Sequence, residues 1–325
     1  MGDEKVRISR TITAGLMVAA TATVLTATAQ AAEVKLKAAS FLPTRIIFAK
    51  FFGDWVDSVN KVCAGKVKIS VIGPSAIKSL EQWNAVKNGV IDMHYGPATY
   101  YKGTAIEAGV SDLATNESTD QRTNGAWEML NELHNKKMNT WYLTQIIDGV
   151  KFYVYTTKPH KDGRFEGFRL RSVPIYDAFF KWLGAQPVRM SGPAVHTALE
   201  RKVVEGLGWP LFGVTGFGWH KFLKYRHGPG FYSAGSNILV NLNKWKKMNA
   251  DQRACLTERT LWLEKVWPSW REAQITIETD EQNKGGIKQV NLGQSFADKA
   301  VELYWADLRQ ANPTFIDKIR PLMSN

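Results

Sequence analysis

Apolar and polar positions near the start of the chain alternate between strand and helix periodicities. Residues 34–39 alternate like a half-buried strand, and apolar residues at helical spacing follow over residues 45–63. Residues 67–72 have a second strand pattern, residues 79–88 a short helix pattern and residues 90–94 a third strand pattern. This βαβαβ order predicts an α/β fold whose first sheet is largely parallel, with right-handed crossovers.

A second set of patterns predicts a second α/β lobe, entered near Asp148-Gly149. The pattern of residues 120–137 indicates one amphipathic helix before it. The further predicted strands are residues 140–147, 151–156, 168–172, 186–189, 202–205 and 236–242, and the further helices are residues 174–183, 193–200, 295–310 and 313–322. A chain of 325 residues suits two domains better than one core. We therefore predict lobe I from residues 32–150 plus about 237–275, and lobe II from residues 151–236 plus about 276–325.

One long helix is predicted near the end of the chain. Asn249 caps it, and Gln252 completes a pair of the capping-box type. The apolar pattern continues to about Lys284, with a bend expected at Pro268. A helix of that length would reach across most of the molecule, so we expect it to tie two lobes together behind a ligand-binding cleft.

The first 31 residues have the pattern of a secretory signal peptide. Three basic residues precede an apolar run over residues 12–28, and Ala29-Gln30-Ala31 then forms a small-x-small cleavage site. A membrane anchor is the alternative, but the run is short and rich in Thr for a span of ~20 apolar residues. We expect cleavage after Ala31 and export to the periplasm.

The formal net charge of +12 favours anionic ligands or an anionic surface. Nucleic-acid binding is not expected, because the basic residues are scattered. Only residues 221–226 and 244–247 form clusters, and both fit solvated helix faces.

Two cysteines, Cys63 and Cys255, occur in the chain. They could pair in an oxidising compartment, and buried free thiols are an equally good alternative. The sequence does not decide between the two.

No catalytic constellation stands out in the sequence. The six histidines are dispersed, no Cys-x-x-Cys occurs, and no Lys-Ser/Thr pair follows the Gly-rich residues 206–218. The G-x-S-x-G pattern of a nucleophile elbow is missing as well. We therefore expect a binding protein without catalytic residues. The alternative is an exported hydrolase or other enzyme with a spatially assembled site.

Arg171 is the strongest candidate for a binding residue. In the strand pattern of residues 167–174, GFRLRSVP, it shares one face with Arg169 and lies just before the change from strand to helix. A guanidinium there can bind a carboxylate bidentately, beside helix-end amides. Both arginines could instead be solvated edge-strand bases. A purely structural or interaction protein, however, would not explain an unpaired Arg at such a turn.

Residues 167–210 also resemble a known family. The order GFRLRSVP, YDAFFKWLGAQPV, TALERKVVEG and GWP is similar to the core pattern of the DctP family, the solute-binding proteins of TRAP transporters. The strand IDM after a Gly and the sequence NLNKW before a long helix agree, and the resemblance covers residues 33–322. It implies a two-lobed periplasmic-binding-protein (Venus flytrap) fold. It also implies that Arg171 clamps an organic acid anion, which is delivered to the TRAP membrane permease subunits.

The resemblance implies further ligand-binding residues. Tyr100 and Tyr101 match a tyrosine pair, and Gln145 falls near a polar contact of a subgroup that binds keto and hydroxy acids. Trp209 stands where many members carry Asn and where this subgroup carries Trp. Together with Phe212, these residues predict an aromatic-lined pocket for an aromatic or keto/hydroxy monocarboxylate. Loop packing is the alternative for the tyrosines, and simple exposure is the alternative for Gln145.

Gly208 departs from the subgroup pattern. The subgroup carries an acidic residue before the Trp, and that residue can help to hold a metal ion. Because this chain has Gly there, we expect no metal ion, and no other cofactor is indicated.

Overall fold

The computed structural model describes residues 1–2 and 32–324. Apart from its first two residues, the predicted signal peptide lies outside the described residues. Within the described part of the chain, no helix combines the length and apolar character needed to cross a membrane.

The strands lie at or near the positions expected from the apolar pattern, with three differences given below. They are β1 (Val34–Ser40), β2 (Val67–Ile72), β3 (Met93–Gly96), β4 (Thr140–Ile146), β5 (Phe152–Thr156), β6 (Arg169–Ser172), β7 (Gln186–Arg189), β8 (Gly206–Pro210), β9 (Tyr225–Phe231), β10 (Ser236–Asn241) and β11 (Lys288–Asn291).

The helices are α1 (Ile47–Val62), α2 (Gln82–Lys87), α3 (Ser118–Asn124), α4 (Ala126–Met138), α5 (Asp177–Trp182), α6 (Val195–Glu200), α7 (Leu242–Lys247), α8 (Ala250–Lys284), α9 (Gln294–Ala311) and α10 (Pro313–Ile319). Short 3-10 segments cover Ala98–Tyr101, Ile106–Leu113, Pro174–Tyr176, Gly192–Ala194, Trp219–Lys221 and Arg320–Leu322.

The strands form two sheets. The first has the order β2-β1-β3-β10-β4, in which β1 pairs in parallel with β2 and β3, while β10 is antiparallel to β3 and β4. The second has the order β11-β9-β5-β8-β6-β7, in which β6 is parallel to both β7 and β8. The α/β fold is therefore as predicted. The first three strands of the first sheet are parallel, and the later strand β10 is antiparallel to both of its neighbours.

The first sheet uses strands up to residue 146 plus β10, and the other strands form the second sheet. The C-terminal segment contacts both groups. The main-chain oxygen of Met323 accepts from the amide of Thr115 at 2.9 Å, while α9 packs against β9. The exact lobe boundaries stay a prediction.

Helix α8 continues through Pro268 and ends before Gly285. Its end is as expected, and the bend at Pro268 stays a prediction. Asn249 and Gln252 form the predicted capping box. At ~1.5 Å per residue its 35 residues extend about 52 Å. Its first half packs on α1, where the indole nitrogen of Trp55 donates to the carbonyl of Arg259 at 3.2 Å. Its second half reaches the second sheet, where the amide of Gln282 donates to the carbonyl of Leu211 at 2.6 Å.

Four expectations about the elements were wrong. Gly125, at φ 94°, divides the predicted helix over residues 120–137 into α3 and α4. The strands β9 and β11 were not predicted, and β9 takes up part of the supposed helix face of residues 221–226. The predicted strand over residues 202–205 is a turn, and the strand is Gly206–Pro210 instead. The glycines of this strand suggested a turn in the sequence. Gly206 is instead required by close packing, because a Cβ there would collide with the carbonyl of Tyr155.

Cys63 and Cys255 form a disulfide, with 6.0 Å between their Cα atoms. It joins the end of α1 to the first turns of α8 across 192 residues of sequence. Because such a link restricts the unfolded chain over a long loop, it stabilises the attachment of α8 to the first sheet.

We expect the double substitution Cys63→Ala/Cys255→Ala to lower the free energy of unfolding by roughly 2–5 kcal/mol. Thermal and denaturant unfolding would measure the loss. Reductant should lower the melting temperature of the wild type and leave that of the double variant unchanged. Equal unreduced melting temperatures for the two proteins would contradict a stabilising role.

Candidate functional site

A narrow cavity of about 440 Å³, a volume that includes its opening to solvent, lies where residues from both sheets meet. From the side of the first sheet come Phe41, Phe48, Pro97, Thr99, Tyr100, Asp112, Ala234, Gly235 and Ser236. From the side of the second sheet come Phe152, Arg171, Val173, Ile175, Tyr176, Trp209 and Pro210.

The position of the cavity follows from the sheet topology. Phe41, Pro97 and Val173 are the first residues after β1, β3 and β6, so they lie at the carboxyl ends of parallel strands. Ligands of open α/β sheets usually bind at these ends, where loops diverge and leave a crevice.

Arg171 is the buried cation of this cavity. Its side chain lies on β6 and is only 1% exposed. Its Nε donates to the carbonyl of Met190 at 3.0 Å, and one Nη donates to the carbonyl of Gly208 at 3.1 Å. Desolvation lowers the pKa of the guanidinium. No ion pair found among residues 32–324 includes Arg171.

Arg169, two residues earlier on the same strand, differs from Arg171 in its exposure to solvent and in its partners. It is exposed, and it pairs with Glu205 and the carbonyl of Lys202. The sequence placed both arginines on one strand face, and the tertiary packing makes one a cavity residue and the other a surface residue.

Aromatic side chains form the walls around Arg171. The guanidinium lies 4.9 Å from the ring centre of Trp209, whose indole nitrogen donates to the carbonyl of Phe212 at 2.8 Å. Burial raises the pKa of the Tyr100 hydroxyl, and the nearby Arg171 guanidinium opposes that shift. Because Tyr100 follows β3 of the first sheet, residues from both sheets meet at the cavity.

Gly208 shapes the cavity because it has no side chain. A Cβ there would lie 2.5 Å from Cε1 of the Tyr176 ring. No acidic side chain would fit at this position beside Tyr176. Within residues 32–324 there is also no group of three or more His, Cys, Asp or Glu side chains that could hold a metal ion.

Three of the predicted site residues line the cavity, namely Arg171, Trp209 and Tyr100. The other three, Tyr101, Gln145 and Phe212, are buried nearby and do not line it.

Each of these three buried residues has a different setting. The hydroxyl of Tyr101 lies 3.0 Å from the Nε2 of His134 and accepts from the amide of Asn237. Phe212 packs against Phe48, with 6.2 Å between ring centres, and so supports a cavity residue from behind. Gln145 is 1% exposed, and its amide has no hydrogen-bond partner among the described side chains and backbone.

Four prominent cavity residues were not found from the sequence: Phe41, Phe48, Tyr176 and Asp112. Phe48 belongs to an apolar helix pattern, which gives no reason to separate it from core residues. Asp112 offered a weak signal, because it is a lone acid in the small and apolar sequence AGVSDLA. Burial raises the pKa of its carboxyl well above the usual range.

Solved structures with the same arrangement of elements are receptors that take up small acids. One is an extracytoplasmic solute receptor of Bordetella pertussis that binds pyroglutamic acid (TM-score 0.78, 14% identity, 89% of this chain and 99% of that chain). Another is a TRAP solute-binding protein of Bordetella bronchiseptica with copurified calcium and picolinate (TM-score 0.78, 18% identity, 90% and 91%). A third, from a marine metagenome, is specific for aromatic acids and holds metahydroxyphenylacetate (TM-score 0.75, 19% identity, 90% and 98%).

The sequence itself matches the model of the DctP family, described as bacterial extracellular solute-binding protein family 7, over residues 39–297. The chain therefore belongs to this family, the solute-binding proteins of TRAP transporters. The predicted family and fold are confirmed. Members of the family are receptors of transporters and not enzymes.

We expect Gly208→Ala to destabilise the protein by about 1–3 kcal/mol, because the added methyl must displace the Tyr176 ring from a close-packed wall. Thermal unfolding would measure the change. Gly53→Ala is the matched control, since a Cβ at Gly53 in α1 meets nothing within 4 Å and Ala favours a helix. Equal melting temperatures for wild type and Gly208→Ala would contradict the close packing at Gly208.

Proposed function

We propose that this protein captures a small organic monocarboxylate in the cavity, with Arg171 holding the carboxylate. The bound acid is then delivered to the membrane permease subunits of a TRAP transporter. The cleaved chain would act in the periplasm, as its N-terminal sequence and the extracellular family indicate.

The observation that carries the proposal is the setting of Arg171. A buried charge is costly unless a partner compensates it, and the hydrogen-bond partners of Arg171 are neutral carbonyl groups. These groups fix the guanidinium in one orientation. An arriving carboxylate supplies the missing negative charge and gains charge-assisted hydrogen bonds of roughly 1.5–3 kcal/mol each.

The walls support a carboxylate with an apolar or aromatic body. Phe41, Phe48, Tyr100, Tyr176 and Trp209 present rings to the same space. Aromatic pairs across the two sheets, such as Phe48 and Trp209 at 6.1 Å, bring the two sides of the cavity together. Structural relatives with picolinate and metahydroxyphenylacetate hold acids of this type.

Closure over the ligand would be a shift between two populations. Tyr100, on the side of the first sheet, lies near Arg171, and the amide of Ile175 donates to the hydroxyl of Thr99 at 3.2 Å. A ligand that adds contacts to both sides favours the closed state by that difference in binding free energy.

We expect one or more monocarboxylates to raise the melting temperature in a thermal-shift screen that includes aromatic, keto and hydroxy acids. At 100 times its dissociation constant, a ligand adds about 2.7 kcal/mol to the free energy of unfolding. Isothermal titration calorimetry of each hit would give the affinity. No shift with any acid would contradict the carboxylate model.

Arg171→Lys should weaken the binding of any acid found in this screen about tenfold or more, because an ammonium cannot replace the bidentate hydrogen bonds of a guanidinium. Arg171→Ala should weaken it further. Arg169→Lys and Arg169→Ala are matched controls on the same strand and should bind like the wild type. Circular dichroism and melting without ligand would show that each variant is folded. Unchanged affinity in a folded Arg171→Ala would rule out the clamp.

A further inference from the structure

Asp112 is a polar residue of the cavity wall to which the proposed function assigns no role. It lies in the 3-10 segment Ile106–Leu113, is 1% exposed and lines the same cavity as Arg171. The backbone of Gly235 and the hydroxyl of Tyr304 lie near its carboxyl. Oδ2 of Asp112 and the hydroxyl of Tyr304 both lack a hydrogen-bond partner among the described residues.

Other unpartnered polar atoms surround the same part of the cavity. A Cβ placed on Gly235 would lie 3.2 Å from Oε1 of Gln145 and 3.4 Å from Cβ of Ser111, and the Gln145 amide and Ser111 hydroxyl both lack partners in the described chain. Asn237, opposite Gln145 in the β4–β10 register, has an unpartnered Oδ1. Buried polar groups in folded proteins are nearly always hydrogen-bonded. The region around Gly235 is therefore polar and unsatisfied, in contrast to the aromatic walls.

Burial favours the neutral form of Asp112. The cation near it is Lys102, which favours the ionised form and is itself paired with Asp307. The tyrosine hydroxyls that face it are those of Tyr101, Tyr176, Tyr232 and Tyr304. Burial raises the pKa of the Asp112 carboxyl well above the usual range. A neutral carboxyl can both donate and accept a hydrogen bond, and it does not repel an anionic ligand.

Arg171 and Asp112 do not form an ion pair, so each remains available to a ligand separately. Tyr176 lies within electrostatic range of both, because Arg171 lowers its pKa and Asp112 raises it. A ligand that fills the space beside Tyr176 can thus meet a cation and a neutral carboxyl at the same time.

We propose that Asp112 determines ligand specificity by binding a hydroxyl or carbonyl group that the acid carries apart from its carboxylate. This inference rests on the proposed function, since Arg171 holds the carboxylate itself. It narrows the ligand class to hydroxylated or oxo-substituted monocarboxylates, and it disfavours purely hydrocarbon acids of the same size. Leaving a buried polar group unpaired is the physical basis of such selection.

Calorimetric titration with matched acids would test the assignment. The probes are benzoate with its 2-, 3- and 4-hydroxy forms, and phenylacetate with the corresponding hydroxy forms. In the wild type, we expect at least one hydroxy form to bind about tenfold or more tightly than its parent. Asp112→Leu should reduce that ratio to about one, whereas Asp112→Asn, which keeps a donor and an acceptor, should retain part of it. Asp54→Leu, the same substitution at an acid that is paired with Lys50 and does not line the cavity, is the control and should retain the full ratio.

The possible results separate the two proposals. If a folded Asp112→Leu keeps the wild-type ratio while Arg171→Ala loses both acids, Asp112 is not the specificity residue and the carboxylate clamp stands. If the wild type prefers none of the hydroxy forms, the inference is wrong. Tighter binding of 3-(aminomethyl)benzoate than of 3-hydroxybenzoate would also overturn it, because an ammonium requires an ionised Asp112. If no acid binds, both proposals fail.

Discussion

The burial of Arg171 without a carboxylate partner is the constraint around which the site is built. Its guanidinium is held by the carbonyls of Met190, which follows β7, and of Gly208 in β8. Tyr100, which follows β3 of the first sheet, lines the same cavity, so side chains from both sheets surround this cation. Its orientation is fixed before any ligand arrives, which lowers the entropic cost of recognition.

The glycines of β8 make this arrangement possible. Gly208 gives its carbonyl to Arg171, and the absence of a Cβ lets the Tyr176 ring pack against the strand. Trp209 follows directly and covers the guanidinium with its ring. One short strand therefore supplies an acceptor, an open face and an aromatic wall. The same geometry leaves no room for the acidic residue that a metal-assisted site would need at position 208.

The rest of the fold holds the two sides of the cavity together. Helix α8 packs on α1 near the disulfide and reaches the second sheet at Gln282. Ion pairs from α8 to α3 and to Glu117, through Arg122–Glu264 and Arg271–Glu117, add contacts along its length. The cavity lies at the carboxyl ends of the strands, where residues from the sides of both sheets line it.

Sequence alone determined the α/β class, most element positions, the long capped helix and Arg171 as the leading site residue. These follow from local information: hydrophobic period, capping residues and a charge at the change from strand to helix. Tertiary structure alone decided the pairing of Cys63 with Cys255, the strand at Gly206–Pro210 and the membership of the cavity wall. Phe48 and Phe212 have the same apolar character in sequence, and only packing separates the wall residue from the one behind it. Asp112 shows most clearly what sequence alone could not predict. Its chemistry depends on which polar groups burial leaves unpaired, and those groups come from distant parts of the chain.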